Sequence, residues 1–174
     1  MNYLLLIAGT IFIIFLSWLI SIKHKRYHGI ARFFSFESIF LLFLLNYKVW
    51  FSDPLSWHQI ISWLMLTLSL YFAVAGFLLL RNIGKPDSNF ENTSVLVKKS
   101  LYKYIRHPLY LSLFLLGTGI MLKDPSSTRL LLGSVNVVAV FLTARIEEKE
   151  MTSKFGDNYL DYKKETWMFI PYIL

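Results

Sequence analysis

Residues Tyr3–Ile22 carry no charged side chain, and their apolar residues fill every helical face instead of one stripe. A stretch of that length makes about 30 Å of α-helix, the thickness of a bilayer's hydrocarbon core. Helices apolar all round need lipid or a very large core, which a chain of 174 residues does not have. Four further runs share this character: Phe36–Phe51, with Glu37 and Lys48 near its ends, Trp57–Leu80, Pro108–Leu122 and Leu130–Ala144. Trp57 and Trp63 suit the membrane interface. The pattern predicts an all-α integral membrane protein with about five transmembrane helices and a cytoplasmic C-terminal helical segment. Tyr3–Ile22 lacks a basic leader and a small-residue cleavage site, so it reads as a retained helix.

The loops carry the charge. Lys23, Lys25, Arg26 and Arg32 follow the first span, and Arg81, Lys85, Lys98, Lys99, Lys103 and Arg106 follow the third. Arg145, Lys149, Lys154, Lys163 and Lys164 follow the fifth. With five spans, 15 of the 18 basic residues fall on one side, which the positive-inside rule makes cytoplasmic. The N-terminus is then expected outside, and the C-terminus inside. The net charge of +7 is thereby accounted for without nucleic acid. There are no cysteines, which excludes a disulfide framework, a thiolate metal site and a cysteine nucleophile.

Polar chemistry gathers in two patches, 82–110 and 145–171; the first half reads as lipid-facing sequence with little chemistry in it. In the stretch SLYKYIRHPLY, Pro108 suits the first turn of a helix. Arg106 and His107 then stand at a helix N-terminus, where unpaired N–H groups and the dipole favour an anion. Tyr102, four residues earlier, is placed to share a helical face with Arg106. A snorkelling interfacial cluster is the simpler alternative. In the second patch, ARIEEKEMTSKFGDNYLDYKK reads as a helix leaving the membrane, a break at Gly156 and a second short helix. The Glu147–Glu148 pair is suited to a cation or an ammonium group, or is simply a solvated face. Arg145, beside that pair, is the candidate for gripping an anionic acceptor.

Together, SLYKYIRHPLY, GIMLKDP, RIEEKEMTSKFGDNYLDYKK and the terminal FIPYI resemble the isoprenylcysteine carboxyl methyltransferase family, related to the phospholipid N-methyltransferases. The resemblance covers roughly Ser94–Ile173. It implies a single membrane domain, 1–174, with three spans in 1–80 and a cofactor-binding, catalytic core in 81–174. It further implies S-adenosylmethionine as cofactor and an active site open to the cytoplasm. The implied cofactor site runs through Ser94, Val95, Leu96, Val97 and Tyr102, then Arg106, His107, Pro108, Leu109 and Tyr110, and closes with Glu147 or Glu148. Arg145, by its place beside the Glu pair, and Glu148 are the candidate catalytic residues, and a lipophilic or lipid-linked molecule is the implied partner.

Two positions depart from the family pattern. Ser94 stands where prenylcysteine enzymes carry a His, and the register of their carboxylate-binding Arg falls on Thr143 or Ala144. A carboxylate acceptor, an amine acceptor, an NADPH-dependent sterol-type reductase with a similar Arg-His-Pro core and a non-catalytic lipid-binding protein stay open on sequence alone.

Overall fold

A computed structural model describes residues 3–24, 26–86 and 93–172. Lys25 and most of the polar run expected to form a loop after Pro86, residues 87–92, lie outside them. Among the described residues six α-helices follow in order: α1 (Tyr3–Ile20), α2 (His28–Asn46), α3 (Trp57–Ile83), α4 (Pro108–Met121), α5 (Ser127–Phe155) and α6 (Asp157–Glu165). The segments Tyr3–His24, His28–Val49, Trp57–Ile83 and Ser127–Phe155 are long and apolar enough to cross a membrane, so this is an integral membrane protein. The outward faces of α1 and α3 carry exposed Leu, Ile and Phe, as lipid-facing helices do.

Polar side chains join the helices to one another. Thr10 Oγ1 donates to Glu37 Oε1 at 2.7 Å and Arg32 Nη2 to Ser21 Oγ at 2.6 Å, fixing α1 antiparallel to α2. His28 meets Glu150, Ser35 Oγ donates to Asn136 Oδ1 at 2.6 Å, and Arg129 Nη2 reaches Leu45 O at 3.1 Å. These three links run α5 antiparallel to α2 along its whole length. The α3–α4 seam is similar: Ser69 Oγ donates to Ser112 O (2.8 Å), Ser62 Oγ to Gly119 O (2.6 Å) and Gln59 Nε2 to Lys123 O (2.9 Å). At the other end of that seam Gly76 lets Leu109 approach; a Cβ there would lie 3.2 Å from Leu109 Cδ2. With only 14 residues, α4 and the turn after it thus track α3 from Gly76 to Gln59.

One span boundary needs correction, and one helix continues past its span as expected. The second span begins at His28, not Phe36, so Arg32 is a helix residue and not a loop residue. The fifth runs Ser127–Phe155 without interruption, carrying Arg145, Glu147 and Glu148 inside the helix. In both extensions some charged residues bond within the protein and so need not face lipid: Arg32 with Ser21, Glu147 with Arg26 and Glu148 with Arg106. The expected break does fall at Gly156, whose φ of +56° a side chain would resist.

Candidate active site

Proline at the start of α4 drives the preceding residue out of helical geometry, and His107 sits at φ −125°, ψ 59°. The chain before it pairs with the C-terminal tail instead. Arg106 N–H donates to Trp167 O (2.8 Å), His107 N–H to Met168 O (3.2 Å) and Trp167 N–H to Tyr104 O (3.1 Å). Tyr102 lies in a 3-10 turn, Ser100–Lys103, so it and Arg106 do not share a helical face as expected. The turn is held by Tyr162 of α6, whose hydroxyl donates to Tyr102 O at 2.6 Å.

This pairing aims Arg106 and His107 at the C-terminal part of α5. Arg106 Nε lies 2.7 Å from Glu148 Oε1, and its Nη1 donates to Thr166 O. Lys163 Nζ takes the other oxygen of Glu148 at 2.8 Å. Glu147 is held differently: Oε2 lies 3.4 Å from His107 Nδ1, and Oε1 lies 3.3 Å from Arg26 Nη2. His107 stacks on Tyr110, ring centroids 5.4 Å apart and 21° between planes. Its Nε2 is buried, 3.5 Å from Glu148 Oε1, and makes no hydrogen bond. Burial opposes charge on His107, but the Glu147 and Glu148 carboxylates outweigh it and raise its pKa from the usual histidine value. Burial also pushes the phenols of Tyr102, Tyr159 and Tyr162 well up, so they stay neutral.

A cavity of about 360 Å³ opens onto these groups. Tyr102, Arg106, His107, Glu147, Tyr159 and Tyr162 form its polar end. Phe36, Ala73, Phe77, Leu80, Leu109 and Leu113 form apolar walls, with Arg32 and Ser112 among them. Of the residues expected from sequence, Leu96, Val97, Tyr102, Arg106, His107, Leu109, Tyr110 and Glu147 line this cavity. Pro108 and Glu148 are buried, outside its wall. Ser94 and Val95 are exposed, with Ser94 Oγ on Lys85 O at 2.8 Å. Arg145 is exposed, its guanidinium 5.8 Å from the Phe141 ring centroid, and is not in the wall.

The reading that the first half holds little chemistry is overturned by Arg26, His28 and Arg32. All three are buried, and they converge on this end of the bundle. His28 Nδ1 lies 2.8 Å from Glu150 Oε2, a partner 122 residues away in sequence. Basic residues beside a membrane span carry no sign of such a partner; only a charge count that failed to need them for topology would have drawn attention to them.

The sequence pattern of the phospholipid methyltransferase family matches residues 57–158. The chain belongs to the phospholipid methyltransferase family. Among relatives of the family member described here, the protein-S-isoprenylcysteine O-methyltransferase of Schizosaccharomyces pombe is 41% identical over 83 residues, covering 45% of this chain and 34% of that protein. The protein of the same name from Dictyostelium discoideum is 37% identical over 81 residues, covering 44% and 33%. The methanethiol S-methyltransferase of Crocosphaera subtropica is 33% identical over 76 residues, covering 42% and 28%. The chain thus spans about a third of the length of the relatives it matches. No solved structure matches it significantly.

Proposed function

We propose that this family member is an S-adenosylmethionine-dependent membrane methyltransferase whose acceptor is lipophilic and presents a carboxylate. The observation that carries the reading is the cavity in which His107 Nε2 is buried without a hydrogen bond, beside Glu147 and at the start of α4. Those residues fit the donor's amino-acid end. Glu147 would hold its ammonium group, while His107 and the first-turn N–H groups of α4, which have no acceptor within the helix, would hold its carboxylate. Leu96, Val97 and Tyr102 would wall the rest, and Tyr110 keeps the His107 ring in place. When bound, the cofactor supplies an electrophilic methyl group on a sulfonium. Glu148 acts from behind, fixing Arg106 and with it the start of α4.

The acceptor class follows from the bases at hand. Among the described residues, each carboxylate of the site lies against a cation: Glu147 against Arg26, and Glu148 against Arg106 and Lys163. The tyrosines are held neutral by burial. A protonated amine would need a free base here, whereas a carboxylate arrives already anionic, and alignment in a dry cavity suffices. The apolar walls suit a lipid-like body. For the anionic end we assign Arg32, a buried cation in the wall, in preference to exposed Arg145. The crowd of basic residues at this end of the bundle supports a cytoplasmic site and C-terminus with the N-terminus outside.

Membranes holding the protein, incubated with methyl-labelled S-adenosylmethionine, test the proposal. Label should enter an S-prenylated cysteine with a free carboxylate and should not enter phosphatidylethanolamine. Label in phosphatidylethanolamine alone would refute the acceptor class; label in neither, from a correctly folded protein, would refute the activity.

A further inference from the structure

We propose that Arg26, in the connection between α1 and α2, is a positioning residue for Glu147, so that the donor site is completed from outside the family-matched segment 57–158. The inference rests on the reading of Glu147 as the donor's ammonium partner. Glu147 stands in the cavity wall in the C-terminal part of α5, and its two oxygens are held by different partners. His107 Nδ1 is 3.4 Å from Oε2, and Arg26 Nη2 is 3.3 Å from Oε1. Arg26 is not itself in the wall and is 8% exposed. Whatever it does for a ligand, it does through Glu147.

The other side of Arg26 explains how a side chain from a helix connection can hold a fixed place. Its Nε lies 3.4 Å from Glu150 Oε2. Glu150 is fixed in turn by His28, through Nδ1 at 2.8 Å and the backbone N–H at 3.3 Å. The backbone of the connection is pinned too: Arg26 N–H donates to Ser21 O at 3.0 Å, and Ser21 Oγ accepts from Arg32 at 2.6 Å. The run His28–Glu150–Arg26–Glu147–His107 therefore ties both ends of the polar cluster to one carboxylate. The guanidinium bridges two glutamates one helical turn apart, and a Lys ammonium lacks the forked geometry to do so.

Charge and position make opposite predictions here, which separates them. If Arg26 acted only as a charge, removing it would leave the site more negative and tighten a donor that carries a net positive charge. If it positions Glu147, losing it frees the carboxylate to turn away, and the donor binds less well.

The experiment is equilibrium binding of S-adenosylmethionine to the full chain in detergent, for wild type, Arg26→Ala, Arg26→Lys, Glu147→Ala and Arg26→Ala/Glu147→Ala. Arg26→Ala and Arg26→Lys should each weaken binding by about tenfold. The double variant should bind no more weakly than Glu147→Ala alone, because the Arg26 effect runs through that carboxylate. Multiplying losses, tightened binding in Arg26→Ala, or wild-type binding in Arg26→Lys would each overturn the assignment. Should Arg26→Ala fail to fold, Glu150→Gln decides: it loosens Arg26 from the far side, and about threefold weaker binding supports the inference, whereas unchanged binding overturns it. If Glu147→Ala binds as wild type does, the reading of the donor site falls and takes this inference with it. If Glu147→Ala is weakened and both Arg26 variants are not, this inference alone fails.

Discussion

Arg106 Nε and Glu148 Oε1 lie 2.7 Å apart, with both side chains under a tenth exposed, and this pair joins the start of α4 to the C-terminal part of α5. Removing one partner of a buried ion pair strands the other. Glu148→Ala should cost about 3–5 kcal/mol of stability, read as an earlier unfolding transition in detergent. Glu147→Ala should unfold nearer to wild type and lose cofactor affinity instead. Equal destabilisation by both would remove the distinction between a carboxylate in the cavity wall and one that braces it.

His107 gives stability a pH dependence. Its folded-state pKa is raised above 6.5 because the two carboxylates outweigh the opposing effect of burial. The stabilisation is therefore fully present below pH 6.5 and is lost as pH rises through the raised pKa. Unfolding temperatures of wild type should fall across that interval more steeply than those of His107→Gln. Parallel profiles would place the titrating group elsewhere.

Asn136 is a buried polar link in the apolar interior, accepting from Ser35 Oγ at 2.6 Å and donating to Leu113 O at 3.2 Å. Interhelical hydrogen bonds in membranes contribute about 0.6–1.7 kcal/mol. Asn136→Ala should destabilise by about that amount for each hydrogen bond removed and leave S-adenosylmethionine affinity near wild type. Unaltered stability would mean that the Asn136 hydrogen bonds do not help to hold α2, α4 and α5 together.

The two arginines offered for the acceptor are separable. Arg32→Gln should lower acceptor turnover by about tenfold or more with cofactor affinity nearly unchanged, since it removes a charge-assisted interaction. Arg145→Lys should turn over like wild type, because its side chain is exposed outside the cavity wall. The reverse result would return the role to Arg145.

Much of the membrane character was legible in the sequence because uncharged runs such as Tyr3–Ile22 have no other stable setting. Part of the arrangement around His107 was legible for a local reason: Pro108 stands before an apolar run and opens α4, and two glutamates follow on a later helix. What escaped was set by residues distant in sequence. Arg26 looks like one more topological charge until Glu147 and Glu150 are seen beside it. The start of the second span at His28 was misjudged for the same reason, since a charge bonded inside the bundle no longer ends an apolar helix, whereas the helix end before Gly156 was legible. Tyr102 and Arg106 meet at the cavity through a 3-10 turn and a backbone pairing with Trp167, which spacing along a helix does not describe.

Equilibrium titration of the purified full chain with S-adenosylmethionine and, separately, with NADPH tests the central claim most directly. Saturable binding of S-adenosylmethionine, weakened about ten- to a hundredfold in Glu147→Ala and in His107→Ala, with no saturable binding of NADPH, is the predicted result. Saturable NADPH binding without S-adenosylmethionine binding would contradict a methyl-donor site and return the cavity to a reductase.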